Sequence, residues 1–268
     1  MMRRKAWKML KSEVLLEKLT YKDVEQFPKD NTIILQPMGP LEAHGPHLPL
    51  GTDFFAAAKL CEIAVPKIQE RGINVLIAPV LPYTLSDVAM PFAGTVTLSK
   101  NTVIALISDI IISFSKHGFK YFVLLCHHLE RPNLAALNEA ASRITASTDL
   151  FVLVSNAILN SIPSSSALMR GERPEWDFHA GEAETSFCLW MCPELVKRDI
   201  QANLPPNWSN IREKFAEGAR DFVEAGGPLC YFGDPQKGTA ELGEQLYQRQ
   251  ASALAEEIAN WFQKHKSL

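Results

Sequence analysis

The chain has 268 residues, 47% of them hydrophobic, and a formal net charge of −3 at pH 7. This length is enough to bury a large core, and a single domain over residues 1–268 is the simplest organisation. The slightly acidic balance, with no concentrated basic run past the first few residues, argues against nucleic-acid binding.

The N-terminal residues and the cysteines indicate in which cellular compartment the protein is expected. Residues 1–5 carry basic side chains, but charged residues interrupt residues 6–18, so no signal-peptide core and no membrane-spanning stretch is predicted. The five cysteines form neither a C-x-x-C pair nor the spacing of a disulfide framework. We therefore expect a reduced, cytoplasmic protein that has no membrane partner.

Short apolar, β-branched runs alternate with amphipathic helical patterns along the chain. This alternation predicts right-handed crossovers and a mainly parallel α/β sheet with helices on both faces. The predicted strands are 31–35, 74–78, 121–126 and 150–155, and the predicted helices are 53–71, 100–117, 133–145, 180–192 and 240–262.

Two segments depart from this regular pattern. The helix 100–117 is apolar on more than one side, which favours burial by a subunit neighbour and hence a homo-oligomer. Residues 158–177 are rich in Ser, Pro, Gly and charged side chains, which indicates a long loop over the site.

Two clusters of acidic and imidazole side chains follow predicted strands: Glu42, His44 and Asp53 in one, His128 and Glu130 in the other. Residues two apart in an extended segment point to the same side, so each pair can present one oxygen and one nitrogen ligand. The carboxyl ends of parallel strands are where open α/β sheets build ligand sites. The pattern predicts a site for two divalent ions, Zn²⁺ and/or Mn²⁺, with Asp53 as the bridge.

Other histidines compete for these positions. His127 and His128 are neighbours that face opposite ways in an extended segment, and we select His128 because it shares a face with Glu130. His47 lies in a proline-rich loop, where it either hydrogen-bonds a ligand or is solvated.

The predicted chemistry is hydrolysis. Two bridged ions activate a bound water and polarise a carbonyl, and the chain has no Ser-His or Cys-His hydrolase pattern. His179 and Glu130 are the catalytic candidates, with His179 delivering a proton to the departing nitrogen. Glu182 and Glu184 have three possible roles: orienting His179, completing a metal shell, or favouring the dipole of a helix that begins there.

Several segments resemble the creatininase, or creatinine amidohydrolase, family. Residues 37–53, PMGPLEAHGPHLPLGTD, match its P-x-G-x-x-E-x-H-G-x-H-L-P-L-x-T-D segment closely. Ser86 with residues 92–95 resembles its second loop, and residues 179–186 resemble its H-A-G-x-x-E-T-S segment. The similarity spans roughly residues 31–186, with a looser match at 237–244.

The resemblance implies a three-layer α/β/α sandwich with a mainly parallel sheet, often hexameric, that holds Zn²⁺ or Mn²⁺. It assigns metal binding to Glu42, His44, Asp53, His128 and Glu130, substrate contact to Ser86 and Trp176 with Asp177 and Leu129 beside them, and the catalytic histidine to His179.

The residues expected to contact the substrate differ from those of creatininases. Leu129 replaces a tyrosine, residues 87–89 lack a histidine found in many relatives, and the segment from Trp176 to His179 is one residue shorter. We therefore predict a metal-dependent amidohydrolase that cleaves a C–N bond in a small cyclic amide or a formamide, rather than creatinine itself. The alternatives are a family peptidase or deformylase of a biosynthetic pathway, and a non-catalytic, metal-poor binding subunit.

Overall fold

A sheet of four parallel strands forms the centre of the computed structural model, which describes residues 14–266. The strands are β1 (Thr32–Met38), β2 (Asn74–Ile77), β3 (Tyr121–Cys126) and β4 (Phe151–Val154), in the spatial order β2-β1-β3-β4. Every neighbouring pair is parallel, and β1 and β3 are buried along their whole length. This burial explains why their sequences are almost continuously apolar.

Helices pack around the sheet and are numbered in the order of the chain. They are α1 (Tyr21–Glu25), α2 (Thr52–Gln69), α3 (Lys100–Ser115), α4 (Arg131–Ser147), α5 (Ala157–Ser166), α6 (Glu182–Met191), α7 (Arg198–Gln201), α8 (Ile211–Ala216) and α9 (Ala240–Lys266).

The two faces of the sheet have separate apolar cores. Alternate side chains of a strand point to opposite faces, so Ile33 and Leu35 pack with α2 and α9, whereas Ile34 packs with α3 and α4. Helices therefore cover both faces of a parallel sheet, and the predicted α/β/α sandwich is confirmed.

The predicted strands lie within a few residues of the observed ones, but the predicted loop 158–177 begins inside a helix. The serine-rich α5 forms there because Ala157 and Ile158 are buried in the core shared with α9. Burial in a tertiary contact overrides the weak helix propensity of such a segment.

Helices α6 and α9 approach each other very closely. A Cβ atom on Gly243 of α9 would lie 2.1 Å from the backbone oxygen of Ser186 of α6, so only glycine permits this contact. Tyr247, one turn further along α9, is fully buried against Phe187 and Trp190 of α6. The long C-terminal helix therefore fixes the position of α6.

Two expectations concern surfaces and termini. Leu106 and Ile110 of α3 are half-buried and belong to neither core, whereas Phe114 packs against the core of α3 and α4. The subunit neighbour expected beside α3 stays a prediction. Among residues 14–266, no helix combines the length and apolarity needed to cross a bilayer. Most of the N-terminal segment considered as a signal peptide lies outside the described residues.

Candidate metal centre

Buried polar side chains converge at the carboxyl ends of the two central strands. Glu42 and His44 follow β1, His128 follows β3, and Asp53 lies in the first turn of α2. Glu42 and His44 have no exposed surface, and Asp53 is 1% exposed. The fold thus brings together residues that are far apart in the chain.

Asp53 lies between two imidazole rings. Its Oδ1 atom is 3.3 Å from Nε2 of His44, and its Oδ2 atom is 3.5 Å from Nδ1 of His128. The same Nδ1 atom of His128 is 2.9 Å from a carboxylate oxygen of Glu42. Each oxygen of Asp53 therefore faces a different histidine, an arrangement that suits a carboxylate between two ions.

Glu184 joins the cluster from the first turn of α6. Its Oε2 atom is 3.6 Å from Nε2 of His44 and 4.0 Å from Nδ1 of His179. The ligand atoms of three sets lie within 4.8 Å of one another: Glu42–His44–Asp53, His44–His179–Glu184 and Asp53–His127–Glu184. The sequence position of Glu184 alone leaves its role open, since a first-turn acid needs no further explanation.

Glu130 lies on the other edge of the His128 ring. Its carboxylate is 3.2 Å from Nε2, while Nδ1 of the same ring faces Glu42 and Asp53. Neither Glu130 nor His128 belongs to any of the three clustered sets found among the described residues. A carboxylate in this position holds the ring orientation of a histidine whose other nitrogen binds a metal.

The pKa values follow from burial and from the neighbouring charges. Burial by itself lowers the pKa of His44, but the carboxylates of Asp53 and Glu184 raise it to about 10. Burial raises the pKa of Glu184 to about 7, partly opposed by His44. For Asp53, burial is outweighed by His44 and His128, which hold its pKa well below the usual value.

Several of these atoms lack hydrogen bonds. Both oxygens of Glu42, Nε2 of His44 and Oδ2 of Asp53 are buried and receive or make no well-directed hydrogen bond with a described residue, although imidazole and carboxylate groups face one another at 2.9–3.5 Å. Buried polar atoms without partners are costly, and carboxylate and imidazole groups are suitable ligands for Zn²⁺ and Mn²⁺. The donor set therefore fits divalent ions.

Two neighbouring backbone carbonyls orient two histidine rings. The carbonyl of Glu42 accepts from Nδ1 of His44 at 3.0 Å, and that of Ala43 accepts from Nε2 of His179 at 2.8 Å. The two rings lie 4.3 Å apart. Burial and the proximity of His44 hold the pKa of His179 well below its usual value, which favours the neutral ring.

Asp177 holds the start of α6. Its carboxylate accepts the backbone N–H groups of Glu182 at 2.5 Å and Ala183 at 3.2 Å, which are donors of the first turn of that helix. A Cβ atom on Gly181 or Gly233 would lie 2.1 or 2.3 Å from Oδ2 of Asp177. Burial raises the pKa of this carboxyl to about 7. Its substrate contact remains a prediction.

The other predicted substrate residues lie in different segments of the chain, and their contact with a substrate stays a prediction. Ser86 is fully buried, and its hydroxyl makes no hydrogen bond with a described residue. Trp176 is half-buried, with the guanidinium of Arg173 4.9 Å from its ring centre. Leu129 is half-buried against the core of α2 and α9.

Two further residues hold segments near the site. Glu182 accepts hydrogen bonds from the backbone N–H groups of Arg170 and Gly171, so it fixes the segment that follows α5. His47 is buried, and its Nε2 atom is 2.9 Å from the hydroxyl of Thr185. Sequence spacing gave no signal for either contact, because both join separate loops and helices.

A parallel α/β sheet with a buried carboxylate and imidazole cluster at its carboxyl edge places the chain among α/β proteins that build a ligand site at the ends of the strands. Residues 17–258 match the family model Creatininase, described as creatinine amidohydrolase. The chain therefore belongs to the creatininase family, and it is a hydrolase of that family.

Two curated relatives have different activities. The chain is 26% identical over 242 residues to the mycofactocin precursor peptide peptidase of Mycolicibacterium smegmatis, which covers 85% of each chain. It is 28% identical over 214 residues to the creatinine amidohydrolase of Pseudomonas putida, which covers 74% of this chain and 79% of the relative.

Solved creatininases share the fold. The match to creatinine amidohydrolase (creatininase) has a TM-score of 0.74 at 22% identity and covers 93% of this chain and 98% of the other. A creatininase described with Mn gives a TM-score of 0.72 at 22% identity, and a mutant creatininase of Zn-Zn type gives 0.68 at 21%, with the same coverage in both cases.

Proposed function

We propose that this protein uses two divalent metal ions, Zn²⁺ and/or Mn²⁺, to hydrolyse a C–N bond in a small cyclic amide or a formamide. The observation that carries the proposal is the position of Asp53, whose two oxygens face His44 and His128 separately. A carboxylate with this placement can serve two ions at once.

The cluster divides into two sets of ligands that share Asp53. Glu42 and His128, whose atoms lie 2.9 Å apart, would hold one ion, and His44 and Glu184, whose atoms lie 3.6 Å apart, would hold the other. Glu130 would orient His128 from behind the ring. When bound, the two ions polarise the amide carbonyl and activate a water molecule.

The rest of the site positions and shields the substrate. The fully buried hydroxyl of Ser86 is a polar contact for a small ligand, because it makes no hydrogen bond with a described residue. Trp176 and Leu129 supply apolar surface. Such a mixture of one polar group and apolar walls suits a compact amide.

A second candidate is the hydrolysis of a peptide bond. It is supported by the match to the mycofactocin precursor peptide peptidase, which extends over 85% of both chains. Peptides, cyclic amides and formamides all present a carbonyl next to the nitrogen that departs, so one centre can serve any of them. The residues that line the site therefore determine which of these substrates is bound.

The test begins with protein purified without chelator. Elemental analysis should find about two Zn or Mn ions per chain, and a panel of cyclic amides, formamides and short peptides should then be assayed. Hydrolysis of peptides alone would favour the second candidate. Protein that neither holds metal after reconstitution nor hydrolyses any amide would contradict the proposal.

Creatinine is the informative member of the panel. Leu129 has neither the ring nor the hydroxyl of the tyrosine that it replaces, and the loss of a well-placed polar contact costs about 1–3 kcal/mol. We expect turnover of creatinine to be weak. Rapid hydrolysis with a micromolar KM would show that this replacement does not set the specificity.

A further inference from the structure

The loop that carries His128 is held in place by buried side chains. Strand β3 ends at Cys126, α4 begins at Arg131, and His128 lies between them, 7% exposed. The backbone carbonyl of His128 accepts from Nδ2 of Asn133 at 3.4 Å and from the thiol of Cys126 at 3.5 Å. Such partners are needed, because a buried carbonyl without a hydrogen bond is costly.

Asn133 is fixed at both ends of its amide group. It lies in the first turn of α4 and has no exposed surface. A carbonyl oxygen only accepts hydrogen bonds, so the NH₂ group of Asn133 must face the carbonyl of His128. The amide oxygen then faces Thr84, whose hydroxyl lies 2.5 Å away and donates to it. Thr84, which is 2% exposed, therefore fixes the orientation of the amide.

We propose that Asn133 is a positioning residue, which holds the backbone of His128 so that Nδ1 of its ring keeps facing Glu42 and Asp53. This inference rests on the proposed function, because His128 is one of the residues that would hold an ion. The Nδ1 atom lies 2.9 Å from the carboxylate of Glu42 and 3.5 Å from that of Asp53. The affinity of a metal site depends on the groups that hold its ligands in position.

The same amide connects the cluster with the segment of Ser86. Thr84 lies two residues before Ser86, whose buried hydroxyl makes no hydrogen bond with a described residue. This segment is itself held, since the carbonyl of Thr84 accepts from the N–H group of Leu98 at 2.9 Å and the N–H group of Ser86 donates to the hydroxyl of Thr97 at 2.9 Å. One buried amide therefore joins the loop of a proposed ion ligand to the loop of a predicted substrate contact.

Loss of this amide should disturb the loop of His128 more than the helix that carries Asn133. Leu137 and Ile144 of α4 are buried in the core shared with α3, and their packing holds the helix without any contribution from the amide. A variant without the amide leaves a buried carbonyl and a buried hydroxyl without this partner, which the loop relieves by moving. Metal affinity is therefore the property to measure.

The test loads Co²⁺ into wild-type protein, Asn133→Leu and Thr84→Val, and it measures the affinity for each ion by competition with a chelator, together with visible absorption. Leucine matches the size of asparagine and is a better helix former, so Asn133→Leu removes the hydrogen bonds with little other change. We expect one of the two ions to bind about 10–100-fold more weakly, with a changed cobalt spectrum, because a group that holds a ligand is lost.

Thr84→Val should weaken the same ion, since it removes only the hydroxyl that orients the amide. The variant with both substitutions should bind this ion no more weakly than Asn133→Leu alone, because the hydroxyl acts through Asn133. Gln201→Met is the matched control. Gln201 is also a buried amide whose NH₂ group donates to a backbone carbonyl, that of Pro235 at 2.9 Å, and its helix α7 carries none of the proposed ligands. It should lower stability and leave both ion affinities unchanged.

Two results separate the inference from the proposed function. A wild-type protein that binds no cobalt would overturn both. A wild-type protein with two ions, together with an Asn133→Leu variant that binds both with unchanged affinity and spectrum, would overturn only the role of Asn133, and so would an equal loss of affinity in Gln201→Met. If Asn133→Leu does not fold, Thr84→Val decides the question, and an unchanged affinity in that variant counts against the inference.

Discussion

Asp53 lies in the first turn of α2, and its two oxygens face different histidines. Asp53→Asn keeps the shape of the side chain but removes its charge and one of its oxygen ligands. We therefore expect this variant to lose both ions together, from about two per chain to almost none, as measured by elemental analysis after dialysis.

A buried carboxylate outside the cluster provides the control for this experiment. Asp234 is 6% exposed, and its Oδ1 atom makes no hydrogen bond with a described residue. Asp234→Asn should keep both ions, because Asp234 belongs to none of the clustered sets. An Asp53→Asn protein that retained one full ion would show that the two positions do not share this residue.

The second prediction compares two glutamates, of which the sequence pattern named only Glu130 as a metal ligand. Glu184 faces Nε2 of His44, whereas Glu130 contacts the outer edge of His128. Glu184→Gln should therefore lose one ion, while Glu130→Gln should keep both and bind them about 10–100-fold more weakly, the usual effect of losing an orienting partner. Competition with a chelator of known affinity measures both, and the opposite ranking would place Glu130 among the ligands.

Some residues of the site can be predicted from the sequence, and others cannot. Glu42, His44 and Asp53 lie within one matching segment that follows a predicted strand, so their grouping could be predicted. The contact of Glu184 with His44 joins α6 to the loop after β1, and no local spacing encodes it. The tautomers of His44 and His179 depend on two carbonyls, which are present at every residue and leave no trace in the sequence.

At the scale of single elements, α6 depends on Asp177 at its start. The carboxylate accepts two N–H groups of the first turn, and burial raises its pKa from 3.8 to about 7. Loss of such an interaction typically costs about 0.5–2 kcal/mol of stability. Because the folded state binds a proton that the unfolded state releases, this residue's contribution is full below pH 3.8 and is lost as the pH rises to about 7.

The third prediction is that Asp177→Asn destabilises the protein most at low pH. The difference in unfolding free energy between wild type and variant should shrink as the pH rises from about 4 to about 7. Denaturant unfolding of chelator-treated proteins measures it, and the comparison cancels groups that both proteins share. A difference that grew with pH would mean that the ionised carboxylate is the favoured form.

The sequence predicts the central strands better than helix α5, and the reason is physical. Strands β1 and β3 were evident because they are buried on both faces and therefore continuously apolar. Helix α5 was hidden because its stability comes from Ala157 and Ile158 packing into the core with α9, which its serine-rich sequence does not reveal. Long-range packing decides such segments.

At the scale of the whole molecule, the buried cluster links ion binding to stability. Ligands that bind only the folded state stabilise it by about 4 kcal/mol at a concentration a thousand times the Kd. For a protein of this length, about 1 kcal/mol corresponds to roughly 2–4 °C in Tm. The fourth prediction is therefore that a chelator lowers Tm by on the order of 10 °C and that added Zn²⁺ or Mn²⁺ restores it.

The Asp53→Asn protein should not respond to the chelator, since it holds no ion to lose. Thermal unfolding followed by circular dichroism at constant pH makes the comparison. An equal Tm with and without chelator in the wild-type protein would show that the carboxylates and histidines neutralise one another well enough without ions.

The overall architecture was the easiest feature to predict, because alternating strands and helices admit few arrangements. Subunit assembly is the hardest, since the half-buried side chains of Leu106 and Ile110 on α3 do not identify what covers them. The homo-oligomer and the cytoplasmic location stay predictions.

The close contact between α6 and α9 has a consequence for how the protein is made. Gly243 on α9 meets Ser186 on α6, and Glu184 lies on the same helix as Ser186. During synthesis the chain emerges from its N-terminus, so Glu42, His44 and Asp53 are present long before the surface that holds Glu184 in place. If the proposed ions bind, Glu184 can complete its side of the cluster only after α9 has been synthesised.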